Sequence, residues 1–149
     1  MTRVAATHAA PALHKGLIDL HATVEREALA AGLEQSLLEL IRIRASQLNG
    51  CAFCVDMHTT AAANGGEDAR RLAALVVWRE SGFFSTRERV ALELTESMTL
   101  LAETRVPDEV YAAAANEFGE AELVRVMWTV TVINAFNRLA VASGMRPTA

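Results

Sequence analysis

Ser36-Leu37-Leu38-Glu39-Leu40-Ile41-Arg42-Ile43-Arg44-Ala45-Ser46-Gln47-Leu48, followed at once by Asn49-Gly50, is the stretch that decides the fold class. Its apolar residues recur at the three- and four-residue spacing of a helix, with none of the alternation of a strand. Asn49-Gly50 is a strong breaker, so the helix ends there and a second begins near Cys51. The same pattern extends in both directions. Leu13, Leu17, Leu20, Val24, Ala28 and Ala31 mark a helix that stops at Gly32. Downstream, a helix over about Cys51 to Ala63 stops before Gly65-Gly66, and another covers Asp68 to Glu80. Ser85-Thr86-Arg87-Glu88 is a capping box opening a helix to about Ala102. Val106-Pro107-Asp108-Glu109 places Pro and acids in a first turn, predicting a helix that ends near Phe118-Gly119. The last and longest helix runs from about Glu120 to Ala142, closed by Ser143-Gly144.

This pattern predicts an all-α fold, a single domain of six or seven helices. The expected division is a flexible N-terminus over 1-12, the helical domain over 13-144 and a C-terminal tail over 145-149. The chain has 149 residues, enough for one core without disulfide staples. It is 52% hydrophobic and 5% aromatic, a composition that favours closely packed helices and exceeds what one small monomer need bury. A homo-oligomer is therefore expected. The longest apolar run, Leu72 to Trp78, falls far short of the roughly 18 residues of a membrane span. Met1 to Pro11 has no apolar core of a secretory signal, and a cytoplasmic location is the expectation. With 18 acidic against 14 basic side chains and no basic block, neither a membrane nor nucleic acid is an expected partner.

Two cysteines remain, Cys51 and Cys54. With His58 they stand at i, i+3 and i+7 and share one face of a helix. At a helix start, free N–H groups and the positive end of the dipole stabilise a thiolate, and an imidazole one turn away can take the thiol proton. Both effects are expected to lower a cysteine pKa. Cα atoms three apart on a helix lie within the usual disulfide range, so a reversible bond could close without unfolding. Peroxide reduction needs these parts: a thiolate to attack the O–O bond, a second thiol to resolve the sulfenic acid, and a proton relay. If Asn49-Gly50 turns the chain back, Glu39 falls level with His58, which makes it the carboxylate of choice for that relay.

The run Glu39-Leu40-Ile41-Arg42-Ile43-Arg44-Ala45-Ser46-Gln47-Leu48-Asn49-Gly50-Cys51-Ala52-Phe53-Cys54-Val55-Asp56-Met57-His58 resembles the signature of the alkylhydroperoxidase (AhpD-like) branch of the carboxymuconolactone decarboxylase family. Trp78-Arg79-Glu80, Glu88 to Leu92, Val106 to Tyr111 and Ile133 to Arg138 resemble further segments of that branch. The resemblance implies an AhpD-like all-helical fold assembled as a trimer or hexamer. It also implies a cofactor-free peroxidase of peroxiredoxin type that reduces alkyl or hydrogen peroxide and is recycled by an external dithiol or protein thiol. Cys54 would then be peroxidatic, Cys51 its resolving partner, and Glu39 and His58 the relay. One departure stands out: Phe53 occupies the place between the cysteines where the branch carries an additional relay His.

Other readings stay open on the sequence. The cysteine pair also fits a dithiol-disulfide oxidoreductase or redox sensor acting on a protein partner. Cys-x-x-Cys with His58 supplies three zinc-type ligands, although no second pair closes a tetrahedral site, so no metal is expected. Buried small hydrophobes are the bland alternative. His14 and His21 read as surface or satisfied helix residues, and Trp78 and Trp128 as core. Asn134, Asn137 and Arg138 interrupt the apolar last helix and need polar partners, without an assigned role in catalysis.

Overall fold

The structure, a computed structural model, describes residues 2–148. Among these, the chain forms α1 (Ala6–Ala9), α2 (Pro11–Ala31), α3 (Gln35–Leu48), α4 (Ala52–Asn64), α5 (Ala69–Ala74), a 3-10 segment (Leu75–Glu80), α6 (Thr86–Thr99), α7 (Leu101–Thr104) and α8 (Asp108–Ser143), with no strand. The all-α expectation is met. No described helix is long and apolar enough to cross a membrane.

α3 is the central element. It packs on α4, α6 and α8, and α8 also packs on α2 and α6. Leu37, Leu38 and Ile41 face a core shared with Ala91 and Leu94 of α6 and Val126 of α8. Leu40 and Ile43, on another side of α3, pack with Leu75, Trp78 and Leu92. A helix buried on nearly all sides must bury its polar residues as well, and Glu39, Arg42 and Ser46 are buried with it. At i, i+3 and i+7 they form one polar stripe, which is where the site is built.

The α3–α4 turn is set by its residues. Gly50 takes φ 64, a left-handed conformation that glycine adopts without strain. That lets Gly50 N–H donate to the Gln47 carbonyl at 3.2 Å and Cys51 N–H to the Ser46 carbonyl at 3.0 Å, the two bonds of a Schellman ending. Cys51 is thereby left as the N-cap of α4, with Cys54 in its first turn.

Three expected boundaries differ. The single helix over Asp68 to Glu80 is α5 continued as a 3-10 segment, with Val77 out of helical geometry. The Arg89 guanidinium satisfies carbonyls there, donating to those of Trp78, Arg79 and Ser81. The helix expected to reach Ala102 breaks at Leu100, and α7 follows. The last two expected helices form one element, α8, bent at Gly119. The bend keeps both halves buried, through Ala114 and Phe118 before it and Leu123, Val126 and Val130 after it.

The stretch expected to be a flexible N-terminus carries α1 and the first two residues of α2. Arg3 donates from Nη1 to the Val141 carbonyl at 2.9 Å and the Ala142 carbonyl at 3.2 Å, capping α8. Trp128 is not core as expected but 48% exposed, because its turn of α8 faces outward; Trp78 is buried.

Candidate redox-active site

The polar stripe of α3 meets α4 at His58. Nδ1 of His58 lies 2.8 Å from Oε2 of Glu39, both side chains buried. Oε1 of the same carboxylate accepts from Arg42 Nη1 at 2.7 Å and from Gln35 Nε2 at 3.1 Å. Burial alone pushes the Glu39 carboxyl upward, but the His58 hydrogen bond and the Arg42 charge together outweigh it and hold it below the usual carboxylate range. An ionised carboxylate only accepts, so His58 Nδ1 carries a proton and donates it to Glu39. Cys54 stands one turn before His58 on the same helix.

The network continues into α2. Arg42 Nη2 pairs with Glu25 Oε2 at 2.8 Å, and His21 Nε2 lies 3.5 Å from that oxygen. The His21 ring meets Phe136 edge to face, with centroids 5.9 Å apart. Burial, and then the Arg42 charge, lower the His21 pKa. Sequence reading assigned His21 no partner. The signal was present in His21-x-x-x-Glu25 and Glu39-x-x-Arg42, each pair one helical turn apart.

The two sulfurs stand 2.7 Å apart as free thiols, each residue only 2% exposed. Cys51 Sγ accepts from the Cys54 N–H at 3.4 Å, so one thiol caps the helix that carries the other. Ala45, Ile133 and Ala140 enclose the pair, with Phe53 and Met145 packed against that cluster. These surroundings correct the expected lowering of the thiol pKa. Burial first, and the Cys51 hydrogen bond second, push the Cys54 thiol up to about 12, against an opposing hydrogen bond from Asn137. Burial is the largest of these causes, because removing a thiol from water disfavours its charged form.

Behind the pair, Asn137 is fully buried. Its Nδ2 donates to Ser46 Oγ at 3.0 Å, and its Oδ1 accepts from Asn49 Nδ2 at 2.9 Å. Asn49 Nδ2 also donates to Asn134 Oδ1 at 3.0 Å, to which Arg138 Nη1 donates at 2.8 Å. Asn134 and Asn137 thus find a partner at the α3–α4 turn, and Arg138 is held by Asn134 on α8 itself. Among the described residues, no group of three or more His, Cys, Asp or Glu side chains is placed to hold a metal ion.

The model of the carboxymuconolactone decarboxylase family matches residues 11–97, a span that includes Glu39, both cysteines and His58. The uncharacterized protein YdfG of Bacillus subtilis is 39% identical over 144 residues, covering 97% of this chain and 95% of its own. The uncharacterized protein YnjA of Escherichia coli is 31% identical over 63% of this chain and 51% of its own. Among solved structures, a protein of unknown function from Agrobacterium tumefaciens, described as a candidate antioxidant defence protein AhpD, superposes with a TM-score of 0.90. It is 33% identical, with full coverage of both chains. The debrominase Bmp8 in its apo form shares the fold, with a TM-score of 0.81 at 16% identity over 96% of this chain and 75% of its own. With a family model matched over more than half its length and a relative at 39% identity along nearly all of it, the chain belongs to the carboxymuconolactone decarboxylase family.

Proposed function

We propose that this protein is a thiol-dependent peroxidase that reduces alkyl or hydrogen peroxide through a Cys51–Cys54 disulfide. The observation that carries the reading is the buried pair of thiols 2.7 Å apart at a helix start, one turn from a histidine whose Nδ1 is held by Glu39. The candidate AhpD description of the Agrobacterium tumefaciens structure supports the same class.

In the reaction, His58 takes the Cys54 proton as the hydroperoxide enters. The thiolate attacks the terminal oxygen, the O–O bond breaks, and sulfur keeps the hydroxyl as a sulfenic acid. The alkoxide leaves with the electron pair and collects a proton from His58. Cys51 then gives its proton to His58 and attacks the sulfenic sulfur as thiolate, forming the disulfide and releasing hydroxide, which takes that proton and leaves as water. An external dithiol or protein thiol returns two electrons and two protons by disulfide exchange. No step requires a cofactor.

Cys54→Ser should abolish peroxide-dependent loss of thiols, and Cys51→Ser should stop the reaction at the sulfenic acid. Mass spectrometry of the peroxide-treated wild type should locate one bond between the two cysteines. A Cys54→Ser protein that consumes peroxide at the wild-type rate would overturn the reading.

One observation favours a second reading, a dithiol-disulfide oxidoreductase or redox sensor. A Cys54 thiol held neutral by burial reacts slowly with free peroxide, and Phe53 supplies no imidazole between the cysteines. Faster oxidation of the pair by a protein disulfide than by peroxide would select this reading. The assembly is proposed as a homo-oligomer. Leu101 and Tyr111 are exposed and line a groove with Met98, Val106 and Met127, an apolar surface suited to a second copy. Light scattering at the mass of a monomer would contradict it.

A further inference from the structure

We infer that Glu25 of α2 is a positioning residue: by holding one arm of the Arg42 guanidinium, it leaves an oxygen of Glu39 free to anchor His58. The inference rests on the thiol chemistry proposed above and adds to it a residue on a third helix, which acts on His58 through Arg42 and Glu39.

The argument starts from the burial of Arg42. Its side chain is 3% exposed, so its charge and its N–H donors must be met by protein groups. Glu39 stands one turn before it on α3, and a guanidinium beside a carboxylate tends to close as a two-bond fork that takes both carboxylate oxygens. Here the fork is opened. Nη1 donates to Glu39 Oε1 at 2.7 Å, while Nη2 pairs with Glu25 Oε2 at 2.8 Å. Glu39 Oε2 is thereby left to His58 Nδ1, at 2.8 Å. Among the described residues, Glu39 and Glu25 are the carboxylates paired with Arg42. The packing of α2 keeps Glu25 in place: Val24 and Ala28 of the same helix are buried, and α2 rests on α8.

Without Glu25, Nη2 becomes a buried charged donor that has lost its partner. The carboxylate that remains on Arg42 is Glu39, and a guanidinium that closes its fork there takes the oxygen that His58 uses. Gln35 does not replace that anchor, because it donates to the other oxygen, Oε1. The charged and titratable groups of the cluster are His21 and Glu25 from α2, Glu39 and Arg42 from α3, and His58 from α4. From α8 comes the uncharged ring of Phe136, against His21. Two carboxylates therefore flank one guanidinium, and that ratio lets Glu39 serve Arg42 and His58 at once.

The test uses the reduced, nitrogen-15-labelled full-length protein and reads the His58 Nδ1 proton by NMR, identified by its loss in His58→Gln. Glu25→Leu should remove this hydrogen-bonded resonance or shift it upfield. Peroxide-dependent thiol oxidation in the same variant should fall about tenfold, a part of the factor that a positioned acid–base group contributes. Adding Arg42→Met removes the competing guanidinium and should restore the resonance at mildly alkaline pH, where Glu39 stays ionised. A merely structural Glu25 gives no such recovery. An unchanged resonance or rate in folded Glu25→Leu, or no recovery in the double variant, overturns the inference. If the Leu variant does not fold, Glu25→Asp serves instead. Its carboxylate, one methylene shorter, withdraws from Nη2, so the His58 proton should move upfield, and no movement overturns the inference. The resonance is read without peroxide, so a wild-type protein that fails to reduce peroxide refutes the proposed reaction while the His58 readout still decides the role of Glu25.

Discussion

His58 Nδ1 and Glu39 Oε2 meet at 2.8 Å across the α3–α4 turn, and Arg42 and Gln35 occupy the other carboxylate oxygen. Glu39 is thereby an ionised anchor to which His58 Nδ1 donates. Glu39→Gln keeps the shape and removes the charge, so the imidazole loses its charged partner. Peroxide-dependent thiol oxidation should fall on the order of 10²-fold, the scale of positioned acid–base catalysis, with the fold retained by circular dichroism. Arg42→Met leaves Glu39 facing Glu25 without the guanidinium between them, and the acid limb of the activity profile should move to higher pH. Recovery of the wild-type limb by Arg42→Lys would identify charge as the cause.

Cys54 makes the protein sensitive to alkali. Its folded pKa, near 12, lies above the ordinary thiol value of 9.0, so between these values the native state binds more protons than the unfolded chain. Stability from this group is complete below about pH 9 and is lost as pH rises toward 12. Urea unfolding midpoints should decline over that window in the wild type and decline less in Cys54→Ser. Parallel declines in the two proteins would show that the thiol is not the cause.

Glu96 is held below the usual carboxylate range although burial pushes it the other way, because Trp78, Arg79 and Arg44 all donate to it. Glu96→Ala leaves Arg44 largely buried without its partner and the Trp78 N–H unsatisfied. The expected loss is about 3 kcal/mol by denaturant unfolding. The depressed pKa sets the pH dependence: the stabilisation is present above the ordinary value of 4.5 and fades as pH falls through the lower folded value. Below that value the variant and the wild type should converge.

Two glycines should respond with opposite sign. Gly16 lies inside α2 with nothing near an added Cβ, so Gly16→Ala should stabilise by about 0.5–1 kcal/mol. Gly119 also has open space, but its φ of 62° and ψ of 176° belong to a region essentially closed to other residues. Gly119→Ala should destabilise by about 1–3 kcal/mol through backbone strain alone. Thermal unfolding of the two variants side by side checks both signs.

The sequence by itself determined the helical class, the caps and the one-turn proximities. Gly32, Asn49-Gly50, the Ser85–Glu88 capping box and Gly144 stop or start helices by local backbone chemistry, so their effect is readable without a partner. The shared face of Cys51, Cys54 and His58 follows from helical periodicity, and the short turn at Gly50 was enough to bring Glu39 level with His58. Tertiary structure decided what local pattern cannot carry. The central position of α3 buries Arg42 and Ser46 with Glu39, and bundle packing turns Trp128 outward. The neutral state of the Cys54 thiol is set by Ile133 and Ala140 from the far end of the chain, and the orientation of Asn137 by Ser46 and Asn49. Desolvation and hydrogen-bond direction depend on which surfaces meet, and that is fixed only when α3, α4 and α8 pack together.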